Sequence, residues 1–127
     1  MAKALLVNVD VEKGAEILRS LDKAGLGVRV ALWAYLPEYE DWRLILSSPR
    51  LDAAELRDAY GLVHAALDAA GIQLDATQSL MILNRKDPFV RHLRRWFAKA
   101  RNVEGMRLGG QVIGDRFVED AYVYRVR

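Results

Sequence analysis

The stretch Val28-Arg29-Val30-Ala31-Leu32-Trp33-Ala34-Tyr35-Leu36, with Pro37-Glu38-Tyr39-Glu40-Asp41 and Trp42-Arg43-Leu44-Ile45-Leu46-Ser47-Ser48 behind it, decides the fold. Two apolar runs rich in β-branched and aromatic residues flank a short polar segment that opens with proline. That is the pattern of a β-hairpin with an acidic, exposed turn. Alternation along the first run separates Val28, Val30, Leu32, Ala34 and Leu36 from Arg29, Ala31, Trp33 and Tyr35. The aliphatic set is expected to face two helices. The aromatic set is expected either to lie on an open sheet face beside Arg43, Ile45 and Ser47, or to become core beneath a third helix. The core reading is preferred, because apolar surface of that size is seldom left open.

Upstream, Ala4-Leu5-Leu6-Val7-Asn8-Val9 reads as a short buried strand, and from Glu12 the apolar period becomes helical through Ala15, Ile17, Leu18 and Leu21 up to Gly25. Downstream, Pro49 breaks the second strand of the hairpin, and Asp52 with Glu55 fits a capping box. The helix behind it runs to Gly71. Leu80–Leu83 is another strand, and Asp87-Pro88 starts a third helix, with Asp as cap and Pro at the first helical position. Met106–Ile113 and Phe117–Val126 flank Gly114-Asp115, a two-residue loop suited to a type II′ turn. The order is β-α-β-β-α-β-α-β-β. The expectation is one α+β domain over residues 1–127, a ferredoxin-like βαββαβ core with an added C-terminal helix and β-hairpin.

Composition narrows the function. The chain has 127 residues, 52% hydrophobic and 28% charged, with no Cys, so disulfides, thiolate metal sites and a Cys nucleophile are excluded. The apolar start is broken at once by Asp10 and Glu12, unlike a signal peptide, and a cytoplasmic protein with no membrane partner is expected. The net charge of +2 hides an asymmetry. Residues 1–84 hold 8 Lys or Arg against 12 Asp or Glu, whereas residues 85–127 hold 11 against 5. Within the helical segment 85–101, Arg91, Arg94, Arg95, Lys99 and Arg101 form the densest basic block. Guanidinium groups suit phosphate, because the planar fork donates two hydrogen bonds at once. The plainer alternative is a solvated helix face.

These features define a candidate binding surface of Arg91, Arg94, Arg95, Lys99 and Arg101, joined by Trp33, Tyr35 and Arg43 if the sheet face is open. Aromatics and arginine on an open sheet can stack single-stranded bases, although the aromatic consensus runs of the RNA-recognition motif are absent. The leading expectation is a non-enzymatic, bacterial-style binding module for nucleic acid or an acidic protein, consistent with a regulatory or defence-linked role. A second is a metal-dependent nuclease or phosphodiesterase that uses Asp10, Glu12 and Asp120 as magnesium ligands, since hard oxygen donors suit that ion. The plainer role for Asp10 or Glu12 is to support the first helix N-terminus. Under the leading reading no cofactor or metal is required. A third expectation is a homodimer or complex subunit paired through sheet edges or the last hairpin, with Tyr122 or Tyr124 in its interface.

Asp10 ahead of a helix, with Gly25 and Val28 ahead of the next strand, is loosely similar to the CRISPR-adaptation endoribonuclease family over residues 4–36. The third helix, the closing hairpin and the wider spacing depart from that family, and its activity is not carried over. His64 and His92 have no His or Cys at ligand spacing, and no nucleophile elbow surrounds Ser47-Ser48. Gly105, Gly109 and Gly110 lie around a strand rather than between a strand and a helix. Gly109-Gly110 is expected to mark a bulge or a close backbone approach.

Overall fold

The computed structural model describes residues 6, 8–74 and 79–127. It is a mixed α+β protein. The elements are α1 (Asn8–Lys23), β1 (Val30–Leu36), β2 (Asp41–Ser47), the single turn α2 (Pro49–Asp52), α3 (Leu56–Ala69), β3 (Ser79–Ile82), α4 (Pro88–Trp96), β4 (Arg107–Leu108), β5 (Gln111–Ile113), β6 (Arg116–Val118) and β7 (Asp120–Val126). Five strands form the main sheet in the order β3-β2-β1-β7-β4, and β5 and β6 form a separate two-stranded sheet.

The β1–β2 hairpin is present as expected, with Leu36 opposite Asp41 across an exposed four-residue turn. The ferredoxin-like arrangement is not. Asn8 and Val9 belong to α1 rather than to a first strand, and Ala4, Leu5 and Val7 of that expected strand lie outside the described residues. A short apolar run cannot by itself be told from a buried helical turn. The central place beside β1 is filled by β7, antiparallel to it, while β3 joins the far side of β2 in parallel through the α2–α3 crossover. The closing hairpin is therefore no appendage, since its last strand is interior to the sheet.

All seven residues of β1 are buried, as suits a strand covered on both faces. The coverage reverses the expected one. Ala31, Trp33 and Tyr35 pack with Ile17, Leu18 and Leu21 of α1 and Val63 and Leu67 of α3. Val30, Leu32, Ala34 and Leu36 pack with Phe89, Val90 and Leu93 of α4 and with Ile113 and Val118 of the small hairpin. Both alternating sets are apolar, so the period-2 pattern carries no information about which face meets which helix. Burying each large side chain of these clusters contributes roughly 1.5–3 kcal/mol.

Local signals set the ends of the elements. Asp87 caps α4 by accepting from the Phe89 N–H at 2.9 Å, with Pro88 next, as expected. Asp52 does not cap a helix. Ser48 caps α2 by accepting from the Leu51 N–H at 3.0 Å, and Asp52 lies inside that turn, where its carboxylate accepts from the Arg85 N–H. The Gly114-Asp115 turn is also present, with Ile113 opposite Arg116 and positive φ at Gly114 alone of the two. A Cβ on Gly114 would lie 2.6 Å from the Phe89 backbone nitrogen, so this turn presses against the start of α4. Gly109 makes the close approach expected of it, against the Glu119 carbonyl, where the long hairpin leaves the main sheet.

One irregularity organises the α1 face. Ala31 pairs with Arg125 and Leu32 with Val123, so Tyr124 is an extra residue on β7, a β-bulge. Ala31 belongs to the α1 face and Leu32 to the opposite one, so the bulge lets both Tyr124 and Arg125 address α1. The Tyr124 hydroxyl donates to the Val11 carbonyl at 2.6 Å, and the Trp33 indole N–H is shared between Tyr124 Oη at 3.0 Å and the Asp10 carbonyl at 3.2 Å. Gly14 permits this approach, since a Cβ there would lie 2.7 Å from Trp33 Nε1 and closer still to the Tyr124 hydroxyl. Gly14→Ala is therefore expected to destabilise the fold by about 1–3 kcal/mol through overpacking, despite the gain of about 1 kcal/mol in helix propensity. Urea denaturation measures it, and a variant as stable as the parent contradicts this packing.

Candidate functional site

The 85–101 segment does not form one continuous helix. α4 ends at Trp96, and residues 97–99 are turns. Phe89, Val90 and Leu93 anchor the helix in the core, but between Phe97 and Arg101 only Ala98 and Ala100 are apolar, and both are exposed, so one more helical turn would bury nothing. The expected row Arg91–Arg95–Lys99 is thereby broken. Arg91 and Arg95 remain exposed on α4, while exposed Lys99 and Arg101 lie beyond its end.

What replaces the row is a cleft of about 500 Å³. Its walls are α1 (Ala15, Leu18, Arg19 and Asp22), Arg94 with the segment from Phe97 to Glu104, and the end of β7 from Tyr124. β4 is only two residues long and pairs with Ala121 and Tyr122, so among the described strands none flanks β7 on that side beyond them. The cleft opens where that neighbour stops. Arg19, Arg94, Arg101, Arg125 and Arg127 converge there against two carboxylates, Asp22 and Glu104.

The arginines are not equivalent. Arg125 makes two 2.8 Å hydrogen bonds to the Asp22 carboxylate and a third, at 3.0 Å, to the Val28 carbonyl. Its guanidinium holds the Asp22 carboxyl below the ordinary carboxylate value, against an opposing effect of burial, and Asp22 in turn raises the pKa of Arg125. Arg94 donates through Nε to the Arg127 backbone oxygen at 2.8 Å, which ties the end of α4 to the strand end. Arg19 and Arg101 form no hydrogen bond or ion pair with another described residue, whereas the charge of Arg127 adds a smaller contribution to the lowering at Asp22. The apolar part of the lining includes Leu18, Phe97, Val103 and Val126. Burial pushes the Tyr124 phenol above its ordinary value, opposed in part by the Trp33 N–H, so at neutral pH it is a neutral donor to α1.

Of the expected binding residues, Arg94 and Arg101 reach the cleft. Trp33 and Tyr35 do not form an open stacking face, since they are 1% and 8% exposed beneath α1 and α3. Arg43, half-buried on β2, places its guanidinium 4.6 Å from the Tyr39 ring centroid, over the β1–β2 turn. Asp10 lies in the first turn of α1, where a carboxylate complements the helix dipole, and Glu12 is exposed on the same helix. Asp120 pairs with Arg107 at 3.1 Å. Among the described residues no three acidic or histidine side chains come together as a metal-binding group, and no helix is long and apolar enough to cross a membrane. Tyr124 is 8% exposed and lines the cleft, whereas Tyr122 is half-buried. Sequence reasoning missed Arg19, Arg125 and Arg127. The only trace of the latter two was their alternation with valine at the end of β7.

Asp22 titrates lower in the folded protein than in the unfolded chain. Its contribution is thus complete above the ordinary carboxylate value near 3.8 and is lost as pH falls through the lower folded value. The carboxylate is 39% exposed, which limits the contribution to about 1 kcal/mol. Asp22→Asn is expected to lower stability by that amount at neutral pH, with the difference from the parent vanishing in strongly acidic solution. Thermal unfolding across pH checks this, and a pH-independent difference contradicts it. No family model, curated protein or solved structure matches this chain.

Proposed function

We propose that this protein is a non-enzymatic binding module for nucleic acid, and that the arginine cleft between α1, the 97–104 segment and the end of β7 is its phosphate-binding site. The observation that carries the reading is the convergence of five arginines from separate parts of the chain on one concavity, two of which, Arg19 and Arg101, form no hydrogen bond or ion pair with another described residue. Collecting like charges in one place costs repulsion, which an anionic ligand relieves. Phosphate is favoured over a lone carboxylate because several guanidinium forks can share its oxygens. The exposed Arg91 and Arg95 of α4 extend the positive field toward the same partner.

The ligand-facing arginines can be removed without dismantling the fold, because Arg19 and Arg101 are exposed. For about three phosphate contacts on a single strand the slope of log affinity against log salt is about −2, a loss of about fifteen- to twentyfold between about 50 and about 200 mM salt. Fluorescence anisotropy with labelled oligonucleotides is expected to show that loss. Arg19→Ala with Arg101→Ala is expected to weaken binding about tenfold or more and to flatten the slope, with a smaller effect from Arg91→Ala with Arg95→Ala. Binding that ignores both salt and the Arg19/Arg101 pair refutes the reading. Capture of an acidic protein in place of any oligonucleotide would assign the same charges to a protein partner.

A further inference from the structure

We infer that the cleft takes a single strand rather than a duplex, with a base stacked on Trp96 at its rim; this rests on the nucleic-acid reading proposed above. Trp96 ends α4 and is 49% exposed, although the apolar pattern of the helix places it in the buried stripe. It is not an isolated surface aromatic. Its ring centroid lies 5.9 Å from that of Phe97, which lines the cleft, and 5.1 Å from that of His92. Trp96 does not itself line the arginine-lined cavity but is joined to it through the Phe97 ring, with Arg94 and Arg95 immediately before it in sequence. Stacking platforms beside a cationic groove are how proteins hold single strands, because every base has a π-face and every linkage a charge.

The shape of the site favours the same ligand. A cleft of about 500 Å³ falls within the range of small-ligand pockets, room for one nucleotide unit. A duplex presents a convex surface with its bases already stacked inside, and would meet only the rim of a concavity. A single strand can splay one base out and carry its phosphate inward. α4 offers no substitute for a groove-reading helix, being nine residues long with Phe89, Val90 and Leu93 committed to the core.

The test uses the full chain, a fluorescein-labelled oligouridylate and an RNA duplex of equal length. Of the three tryptophans, Trp33 and Trp42 are buried, so quenching of intrinsic fluorescence at saturation reports on Trp96. The expected result is tighter binding of the single strand, with quenching. Trp96→Leu is expected to weaken that binding about tenfold, and Trp96→Phe to restore most of it. Unchanged thermal unfolding of both variants shows that the loss is not one of folding. Equal affinity for duplex and single strand, with no effect of Trp96→Leu, overturns this inference and leaves the nucleic-acid reading standing. Binding to neither RNA overturns both.

Discussion

The structure depends on one extra residue in β7. The bulge at Tyr124 turns two consecutive side chains toward α1, where a regular strand would turn only one. Tyr124 then bonds the first turns of the helix at the Val11 carbonyl, and Arg125 bonds Asp22 near its last turn. The helix is held at both ends by neighbouring residues of one strand. Gly14 lets the first attachment form, because a side chain there would stand where the Tyr124 hydroxyl and the Trp33 indole meet. The Trp33 indole and the Tyr124 hydroxyl both donate here, which matters because an unpaired polar group in such a place costs roughly 1–3 kcal/mol.

The same attachments build the cleft. With α1 fixed along β7, Leu18, Arg19 and Asp22 form one wall, while Arg94 holds the other side through the Arg127 backbone. The shortness of β4 leaves the mouth open. Asp22 neutralises the arginine nearest the sheet, and the remaining guanidinium groups lie toward solvent. The site is a consequence of how helix and strand meet, rather than of any motif in one segment.

That explains which parts were legible in the sequence. The hairpin at 30–47, the cap at Asp87-Pro88 and the turn at Gly114-Asp115 depend on contacts within a few residues, and all are present. The sheet order depends on β1 pairing with β7, some ninety positions away, and nothing in an all-apolar strand such as Val30–Leu36 names its neighbour. The two faces of that strand were exchanged for the same reason. The basic segment was visible as composition, but its division into a cleft-lining part (Arg94, Arg101) and an outward part (Arg91, Arg95) follows from where α4 stops being buried. Arg19 and Arg125 could not be foreseen as partners in one site, because only the tertiary fold brings α1 against β7.

The arginine cleft is tested most simply by a nuclear magnetic resonance titration that follows the arginine side-chain Nε–Hε signals as a single-stranded oligonucleotide is added. Arg19, Arg94, Arg101 and Arg127 are expected to shift together and saturably, with Arg125, held by Asp22, moving less. Shifts centred on Arg91 and Arg95, with the cleft arginines unmoved, would contradict this expectation and make the cleft a structural by-product of docking α1 on β7.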